Sequence, residues 1–179
     1  TWFLLLGLIV IALLASPAHS NVGEIGQIKG SGVLEREGKI VIDGDIGVNV
    51  KSMDEAVTAN GTMRIDFVDE TRVELTQQSR LVIDEFVYDP ANDVGSLSIK
   101  ASLGTVRYAS GQIAKKYKQN VKIRTPSATI AVRGTDFIMV VDEMGGSMIT
   151  LLPSCDTAGI CYVGEIEVMT DAGFVVLNQ

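Results

Sequence analysis

The segment from Val121 to Asp142, VKIRTPSATIAVRGTDFIMVVD, constrains the fold more than any other part of the chain. Apolar and polar residues alternate on both sides of Thr125 and Pro126, which is the pattern of two half-buried strands joined by a tight corner. The tripeptide at 133–135 then interrupts the alternation. The five residues from Phe137 to Val141 are all apolar, and such a run predicts a central strand buried on both faces.

Short strands are predicted along most of the remaining chain. From Val22 to Asp45, glycines separate brief apolar runs, as expected for strands joined by tight turns. Between Thr62 and Phe86, pairs of apolar residues recur every eight residues, which predicts an antiparallel meander or one edge of a coiled β-roll. We expect a surface loop from Phe86 to Asp93. One helical turn is expected within Gly111–Asn120, which lacks runs of β-branched residues, and a loop is the alternative.

The first twenty residues differ in character from the rest. The apolar run from Trp2 to Ala15 is shorter than the ~20 residues of a transmembrane helix but suits the core of a signal peptide. Small residues at Ala18 and Ser20 fit cleavage after Ser20. We therefore predict a signal peptide over residues 1–20, truncated at its N-terminus because an initiator Met and a basic region are missing. The alternative is an uncleaved anchor, in which case the protein is held at a membrane; either interpretation makes the body periplasmic or secreted.

Residues 21–179 are predicted to form a single domain, because this length matches one domain with one hydrophobic core. The chain has 15 basic and 22 acidic residues, which give a formal net charge of −7. Phosphate backbones and anionic membrane surfaces repel such a protein. We therefore expect no nucleic-acid function.

Two cysteines, Cys155 and Cys161, bracket a short glycine-containing loop. In an oxidising compartment this spacing predicts a local disulfide, and the alternative is a pair of free thiols. Because the loop is short, a bridge there would remove chain entropy worth ~2 kcal/mol and would shape the loop more than hold the fold.

The corner at Thr125 followed by the sequence Ala-Val-Arg-Gly-Thr-Asp-Phe resembles the hallmark segment of the FecR domain family. Looser similarity covers most of the body. It includes the glycine-rich lead-in from Gly32 to Asp45 and the segment FVDETRVEL, in which Glu70 replaces the glycine that is common in the family. This replacement predicts a turn that needs no positive φ angle. The residues that carry the family motif are Thr125, Pro126, Arg133, Gly134, Thr135 and Phe137.

The resemblance implies an all-β domain of short strands forming a β-roll or β-helix-like sandwich, which the alternation and the turn spacing also predict on their own. It further implies a role in extracytoplasmic sensing and regulation. Better-known members of the family have a periplasmic domain that receives a signal from an outer-membrane transporter. The resemblance implies no shared set of catalytic residues.

Catalytic chemistry is not expected. The sole histidine, His19, lies in the predicted signal peptide, which leaves the body without Ser-His or Cys-His activation and without histidine metal ligands. A carboxylate pair of the kind that cleaves glycosides is the remaining alternative. We interpret the candidate carboxylates as solvated faces and turns; they are Asp66, Asp69, Glu70, Glu74, Asp84 and Glu85.

Two further charged groups have a plain and a functional interpretation. Asp43 and Asp45 flank a glycine, but the spacing lacks the complete pattern of a calcium loop, so a turn is favoured. Three lysines, Lys115, Lys116 and Lys118, form either a solvated face or a contact for an acidic partner. No metal or cofactor is expected.

Arg133 also allows two interpretations. A partly buried arginine needs carboxylate or carbonyl partners to offset its desolvation, so we favour a structural role in which it ties adjacent strands. Gly134 would then allow a close approach of the backbone. The alternative is recognition of a carboxylate on a ligand or partner.

These observations favour a non-enzymatic extracytoplasmic binding or sensing module that acts through an envelope protein or glycan. The alternative is a secreted structural or adhesive scaffold whose exposed strand edges pair with copies of itself. Self-association is therefore left open.

Overall fold

The computed structural model describes residues 21–43, 45–155 and 158–178. Residues 1–20, the site of the predicted signal peptide, lie outside this part of the chain. In their first half, the described residues form strands β1 (Asn21–Lys29), β2 (Gly32–Arg36), β3 (Lys39–Asp43), β4 (Asn49–Lys51), β5 (Glu55–Thr58), β6 (Thr62–Phe67), β7 (Arg72–Leu75) and β8 (Arg80–Asp89).

The second half contains the one helix of the described residues. Its elements are β9 (Val94–Ala109), α1 (Gln112–Lys116), β10 (Val121–Arg124), β11 (Thr129–Arg133), β12 (Asp136–Val141), β13 (Ser147–Leu152), β14 (Ser154–Cys155), β15 (Cys161–Tyr162), β16 (Glu165–Thr170) and β17 (Gly173–Leu177). The all-β fold predicted from the sequence is confirmed.

The long strand β9 joins two sheets. Its first part pairs with β8 and β10, and its second part pairs with β7 and β12. Sheet A has the order β4-β1-β6-β7-β9-β12-β13, and sheet B has the order β3-β2-β5-β8-β9-β10-β11-β16-β17. Between the two parts of β9 lies Gly104, whose φ of +89° favours glycine and where a Cβ would lie 2.6 Å from the Cα of Ser79.

The core lies between the two sheets because alternate residues of each strand point inward. Strand β6 buries Met63, Ile65 and Phe67, for example, while the residues between them are partly exposed. The ring of Phe67 in sheet A stacks on the ring of Phe86 in sheet B, with their centroids 5.5 Å apart. The short strands therefore pack as a two-layer sandwich.

The predicted meander is correct for β6 and β7 and wrong for β8. Strands β6 and β7 form a hairpin, but β8 crosses to sheet B, where it pairs with β5 and β9. The loop predicted from Phe86 to Asp93 is also wrong, because β8 continues to Asp89 and turns into β9. The local alternation of residues predicts where the strands lie, whereas the pairing of β8 with β5 depends on a segment distant in the chain.

The corner segment follows its prediction with one exception. Strands β10 and β11 form the predicted hairpin, and β12 lies centrally between β9 and β13. However, β12 is not buried on both faces: Phe137, Met139 and Val141 are buried, while Ile138 and Val140 are partly exposed. Their side of sheet A faces outward, away from sheet B. The helical turn predicted within Gly111–Asn120 is confirmed as α1.

Candidate functional site

Thr125 and Pro126, the first residues of the family motif, form the corner between β10 and β11. The backbone N–H of Thr125 donates to the carbonyl of Ala128 at 2.8 Å, and the N–H of Ala128 donates to Thr125 Oγ1 at 3.1 Å. Ser147 at the start of β13 also donates to Thr125 Oγ1, at 2.7 Å. The corner is thus a hydrogen-bonded turn that touches sheet A at β13.

Arg133 links β11 to β16. Its Nη1 donates to Glu165 Oε1 at 2.6 Å and its Nη2 to Glu167 Oε2 at 2.9 Å. Arg133 lies directly opposite Glu165 in the antiparallel register, and each of the three side chains keeps a quarter to a third of its surface exposed. Both ends of the guanidinium are therefore engaged by carboxylates of the same chain.

Gly134 and Thr135 make the turn into β12. Gly134 has a φ of +77°, and a Cβ added there would meet no atom closer than 3.6 Å. The backbone was predicted to be approached closely at Gly134. The glycine that such an approach requires is instead Gly164, where a Cβ would lie 2.6 Å from the carbonyl oxygen of Gly134. Thr135 is fully buried, and its Oγ1 accepts a hydrogen bond from the N–H of Gly164 at 3.1 Å.

Phe137, the last motif residue, packs in the core. Its ring stacks on that of Tyr108, with centroids 5.2 Å apart, and both side chains are fully buried. Burial raises the pKa of the Tyr108 phenol well above its usual value, and the nearby charge of Asp69 raises it further. This tyrosine stays neutral at any physiological pH.

Asp69 fastens α1 to the β6–β7 turn. Its buried carboxylate accepts hydrogen bonds from the N–H of Thr71 at 3.1 Å, from Thr71 Oγ1 at 2.8 Å and from the N–H of Ile113 at 3.1 Å. The carbonyl of Asp69 also accepts from the N–H of Gln112 at 2.7 Å. Asp69 was predicted as a solvated turn residue, but it is a buried structural carboxylate.

Glu70, beside Asp69, has a φ of +69°. The prediction that this turn needs no positive φ is wrong. The turn keeps the left-handed conformation that glycine adopts without cost, and here a glutamate adopts it. Its carboxylate accepts a hydrogen bond from Gln112 Nε2 at 2.7 Å.

A polar depression with a volume of about 290 Å³ lies on the outer face of sheet A, and we call it the sheet A cleft. The strands β6, β7, β9 and β12 form its floor. Cross-strand register places Arg64 opposite Glu74, Glu74 opposite Arg107, and Arg72 opposite Ala109. The lining residues are Arg64, Arg72, Glu74, Arg107, Ala109 and Asp136.

Some charged side chains of the sheet A cleft are paired within the chain, and others have no such partner among the described residues. Arg64 contacts Asp66 through Nε and Nη2, each at 2.9 Å, and Arg72 lies 3.7 Å from the same carboxylate. Among the described residues, no hydrogen bond or ion pair engages the side chains of Arg107 and Glu74. These two side chains remain available to a ligand.

Asp136 connects the family motif to the sheet A cleft. It follows Thr135 directly and is the aspartate of the sequence Arg-Gly-Thr-Asp-Phe. One carboxylate oxygen accepts from the N–H of Ser110 at 3.0 Å, and Ser110 Oγ donates to the carbonyl of Thr135 at 2.6 Å. The motif therefore sets the position of one wall of the cleft.

The arginines of the cleft were missed in the sequence. Arg64, Arg72 and Arg107 each occupy an outward position in an alternating strand, where a polar residue by itself predicts solvent exposure. The available signal in the sequence is that these three outward residues are all positively charged, in a chain whose net charge is negative. Bringing them together requires the order β6-β7-β9, which local patterns do not contain.

The remaining candidate carboxylates lie elsewhere. Asp84, on the outer face of sheet B, contacts Lys100 Nζ and accepts from Arg124 at 3.0 Å and from Ser98 at 3.1 Å. The hydrogen bond from Lys100 lowers the pKa of Asp84 below its usual value, and burial opposes that shift. Glu85 accepts from Ser96 Oγ at 3.0 Å. Asp66 and Asp84 therefore belong to different sheets, facing away from each other.

The lysine group at the C-terminal end of α1 has an acidic contact within the chain. Lys116 Nζ lies 2.6 Å from Asp93 Oδ1 and 5.1 Å from the centroid of the Tyr117 ring. The hydrogen bond with Asp93 raises the pKa of Lys116 to about 12. Lys115 and Lys118 are exposed and show no such pair among the described residues.

The predicted disulfide between Cys155 and Cys161 is present and lies across the two-stranded ladder of β14 and β15. Residues 156 and 157 of its loop lie outside the described residues. The turn at Asp43–Asp45 includes residue 44, which is also outside them. In the part of the chain that the structure describes, no three His, Cys, Asp or Glu side chains are grouped for a metal ion. Nor do the described residues include a helix long and apolar enough to cross a membrane.

Comparison with known proteins gives one family. A search of the curated proteins and a search of the solved structures found no match. Residues 54–153 match the model of the family described as FecR protein. This match runs from just before β5 to just after β13. It covers β9 and every strand that pairs with β9 or with β12, and it includes the whole motif from Thr125 to Phe137. It spans more than half of the chain, and the chain belongs to the FecR protein family.

Proposed function

We propose that this protein is a non-enzymatic, extracytoplasmic binding or sensing module that acts through an envelope protein or an envelope glycan. Membership of the FecR family supports a role in envelope signalling, and therefore a periplasmic or secreted location. The observation that carries the proposal is the sheet A cleft, because it combines open charged groups with a wall built from the family motif.

The cleft suits recognition of a ligand that presents both charges or both hydrogen-bonding functions. Arg107 supplies a planar donor that can grip a carboxylate at two points, and Glu74 supplies an acceptor for ammonium or hydroxyl groups. The salt bridges of Arg64 and Arg72 to Asp66 fix the side of the cleft before a ligand arrives. Such preorganisation reduces the entropy lost on binding.

The carboxylates favour binding over catalysis. Glycoside cleavage needs a carboxyl with a raised pKa as general acid and a second carboxylate across the scissile bond. The pKa of Asp84 is instead lowered, and Asp66 is held by two arginines on the other sheet. A pair of carboxylates with these roles is therefore not formed by Asp66 and Asp84.

A crosslinking pull-down from an envelope extract tests the proposal, with the exported protein as bait and with two charge-matched variants. Arg107→Gln removes the open guanidinium of the cleft. Lys122→Gln removes one positive charge from the outer face of sheet B, where Lys122 is exposed on β10. We expect a partner or glycan that is captured by the wild type and by Lys122→Gln, and at least tenfold less by Arg107→Gln. Equal capture by all three proteins would contradict a role for the cleft.

A structural or adhesive scaffold is the second candidate function, and one observation favours it. Strand β17 closes sheet B with three exposed apolar residues, Phe174, Val175 and Val176. Exposed apolar edge strands pair with other chains. Growth of assemblies longer than a dimer with rising protein concentration would support the scaffold over the sensing module.

A further inference from the structure

Strand β17 has the composition of a buried strand in the position of an edge strand. Its residues Phe174, Val175, Val176 and Leu177 point alternately to both faces of sheet B and are all apolar. Yet the exposed fractions are 71% for Phe174, 52% for Val175 and 39% for Val176. Among the described residues β17 pairs with β16 alone, so its other edge presents unpaired backbone groups.

The other edges of the two sheets lack this combination. Strand β4, at one edge of sheet A, ends with the charged residue Lys51. Strand β3 begins and ends with the charged residues Lys39 and Asp43, and charges on an edge discourage pairing. At the other edge of sheet A, the start of β13 is occupied by the corner, since Ser147 is hydrogen-bonded to Thr125 and Ser127. Strand β13 is also uncharged, but it carries the polar residues Ser147 and Thr150, whereas β17 is apolar at every position from Phe174 to Leu177.

We propose that β17 pairs in antiparallel fashion with β17 of a second copy and thereby joins two copies of sheet B into one continuous sheet. Strand β17 carries no charged residue, so the pairing places no like charges directly opposite each other between two chains of net charge −7. A two-fold axis through Val175 sets the register. It places Val175 opposite Val175, and Phe174 opposite Val176 on the other face.

This register makes the edge complementary to itself. Aromatic and β-branched side chains directly opposite each other are favourable cross-strand pairs, and the two-fold axis creates the Phe174–Val176 pair twice. Five residues per chain give a small interface, so the dimer is expected to be weak and to form between about 10 μM and 1 mM protein. The pairing leaves the outer face of sheet A free, and it is independent of ligand binding at the cleft.

Charge placed at Val175 tests the register, because each variant meets its own charge across the axis. Val175 is half exposed, so the domain accommodates a charged side chain there. Sedimentation equilibrium across that concentration range should show the mass of the wild type rising from one chain to two. Val175→Lys and Val175→Glu should each remain monomeric, and an equimolar mixture of the two should recover the dimer.

Matched variants at Met144 provide the control. Met144 is 94% exposed in the β12–β13 turn, and Met144→Lys and Met144→Glu should dimerise as the wild type does. A wild type that stays monomeric to about 1 mM would overturn the proposal. So would dimers of Val175→Lys equal to those of the wild type, or a mixture that fails to recover the dimer although circular dichroism shows both variants folded.

Discussion

At the level of single residues, a left-handed backbone conformation determines where glycine is more stable than other residues. Glu70 holds a φ of +69° between β6 and β7, at the position where the resemblance to FecR domains implies a glycine. A side chain in this region costs roughly 1 kcal/mol or more, whereas glycine enters it freely. The turn geometry is thus retained although the residue that suits it best has been replaced.

Glycine and valine at position 70 should therefore change the stability of the fold in opposite directions. We expect Glu70→Gly to raise the free energy of unfolding by up to about 1 kcal/mol. This net value includes the loss of the hydrogen bond between Glu70 and Gln112. Glu70→Val should lower it by about 1–2 kcal/mol, because β-branched residues tolerate positive φ poorly. Urea denaturation of the three proteins measures both changes. A more stable Glu70→Val would show that the turn does not hold this conformation.

The two glycines after β11 and before β16 have different tasks. A Cβ at Gly164 would lie 2.6 Å from the carbonyl oxygen of Gly134 and from Cβ of Thr135, both in well-packed surroundings. We expect Gly164→Ala to destabilise the fold by about 2–4 kcal/mol through this overlap. Gly134→Ala meets no such atoms and should cost about 1 kcal/mol for its positive φ alone. Thermal unfolding of both variants would contradict the account if Gly134→Ala were the more damaging.

At the scale of elements, ion pairs across neighbouring strands reinforce the ends of sheet B. Arg133 joins β11 to Glu165 and Glu167 on β16, which lies beyond the segment matched to the family. The family motif is thus completed by a strand that the family match does not include. Its arginine acts within the sheet, in line with the structural role favoured from the sequence.

Arg133→Leu should leave a folded protein that is less stable by about 1 kcal/mol, since all three side chains are partly solvated and the pairs are screened. Its removal leaves Glu165 and Glu167 as unneutralised neighbours on one face of β16. A double-mutant cycle with Glu165→Gln, followed by urea denaturation, measures the coupling. A fully stable Arg133→Leu variant that fails to capture the envelope partner would instead assign Arg133 to recognition.

The outer face of sheet B has a pH-dependent tie between β8, β9 and β10. Lys100 and Arg124 keep the pKa of Asp84 lowered in the folded protein, so folding favours the ionised form. The resulting stabilisation is complete above the unfolded pKa of about 3.9 and is lost as the pH falls through the lower folded pKa.

Asp84→Asn should therefore reduce the free energy of unfolding by about 1 kcal/mol at neutral pH and by progressively less in acid. Denaturation curves at pH 7 and near pH 2 test this, with Glu85→Gln as the control because Glu85 contacts a neutral serine. A difference between Asp84→Asn and wild type that grows in acid would contradict the assigned cause.

Local pattern and long-range pairing account for what the sequence could and could not predict. The β10–β11 hairpin follows from its own alternation and its Thr125-Pro126 corner, which are adjacent in the chain. The pairing of β8 with β9 is local, because β9 follows it directly, but its pairing with β5 passes over the intervening strands β6 and β7. Outward arginines on β6, β7 and β9 become a cleft through the same non-local order, so the candidate site had no local signature.

At the scale of the whole molecule, one long strand distributes the fold over two layers with separate outer faces. Gly104 divides β9 between sheets A and B, so the charged cleft lies on one outer face and the lysine–aspartate network on the other. The apolar edge at β17 is a third surface. Binding at the cleft and pairing at β17 therefore occupy different parts of the molecule.

Hydrogen–deuterium exchange of the protein with and without its captured partner or glycan tests whether the partner binds at the sheet A cleft. Binding there should slow exchange in β7, the second part of β9 and the start of β12, and leave sheet B unchanged. Protection confined to β8 and β10, or to β17, would contradict it.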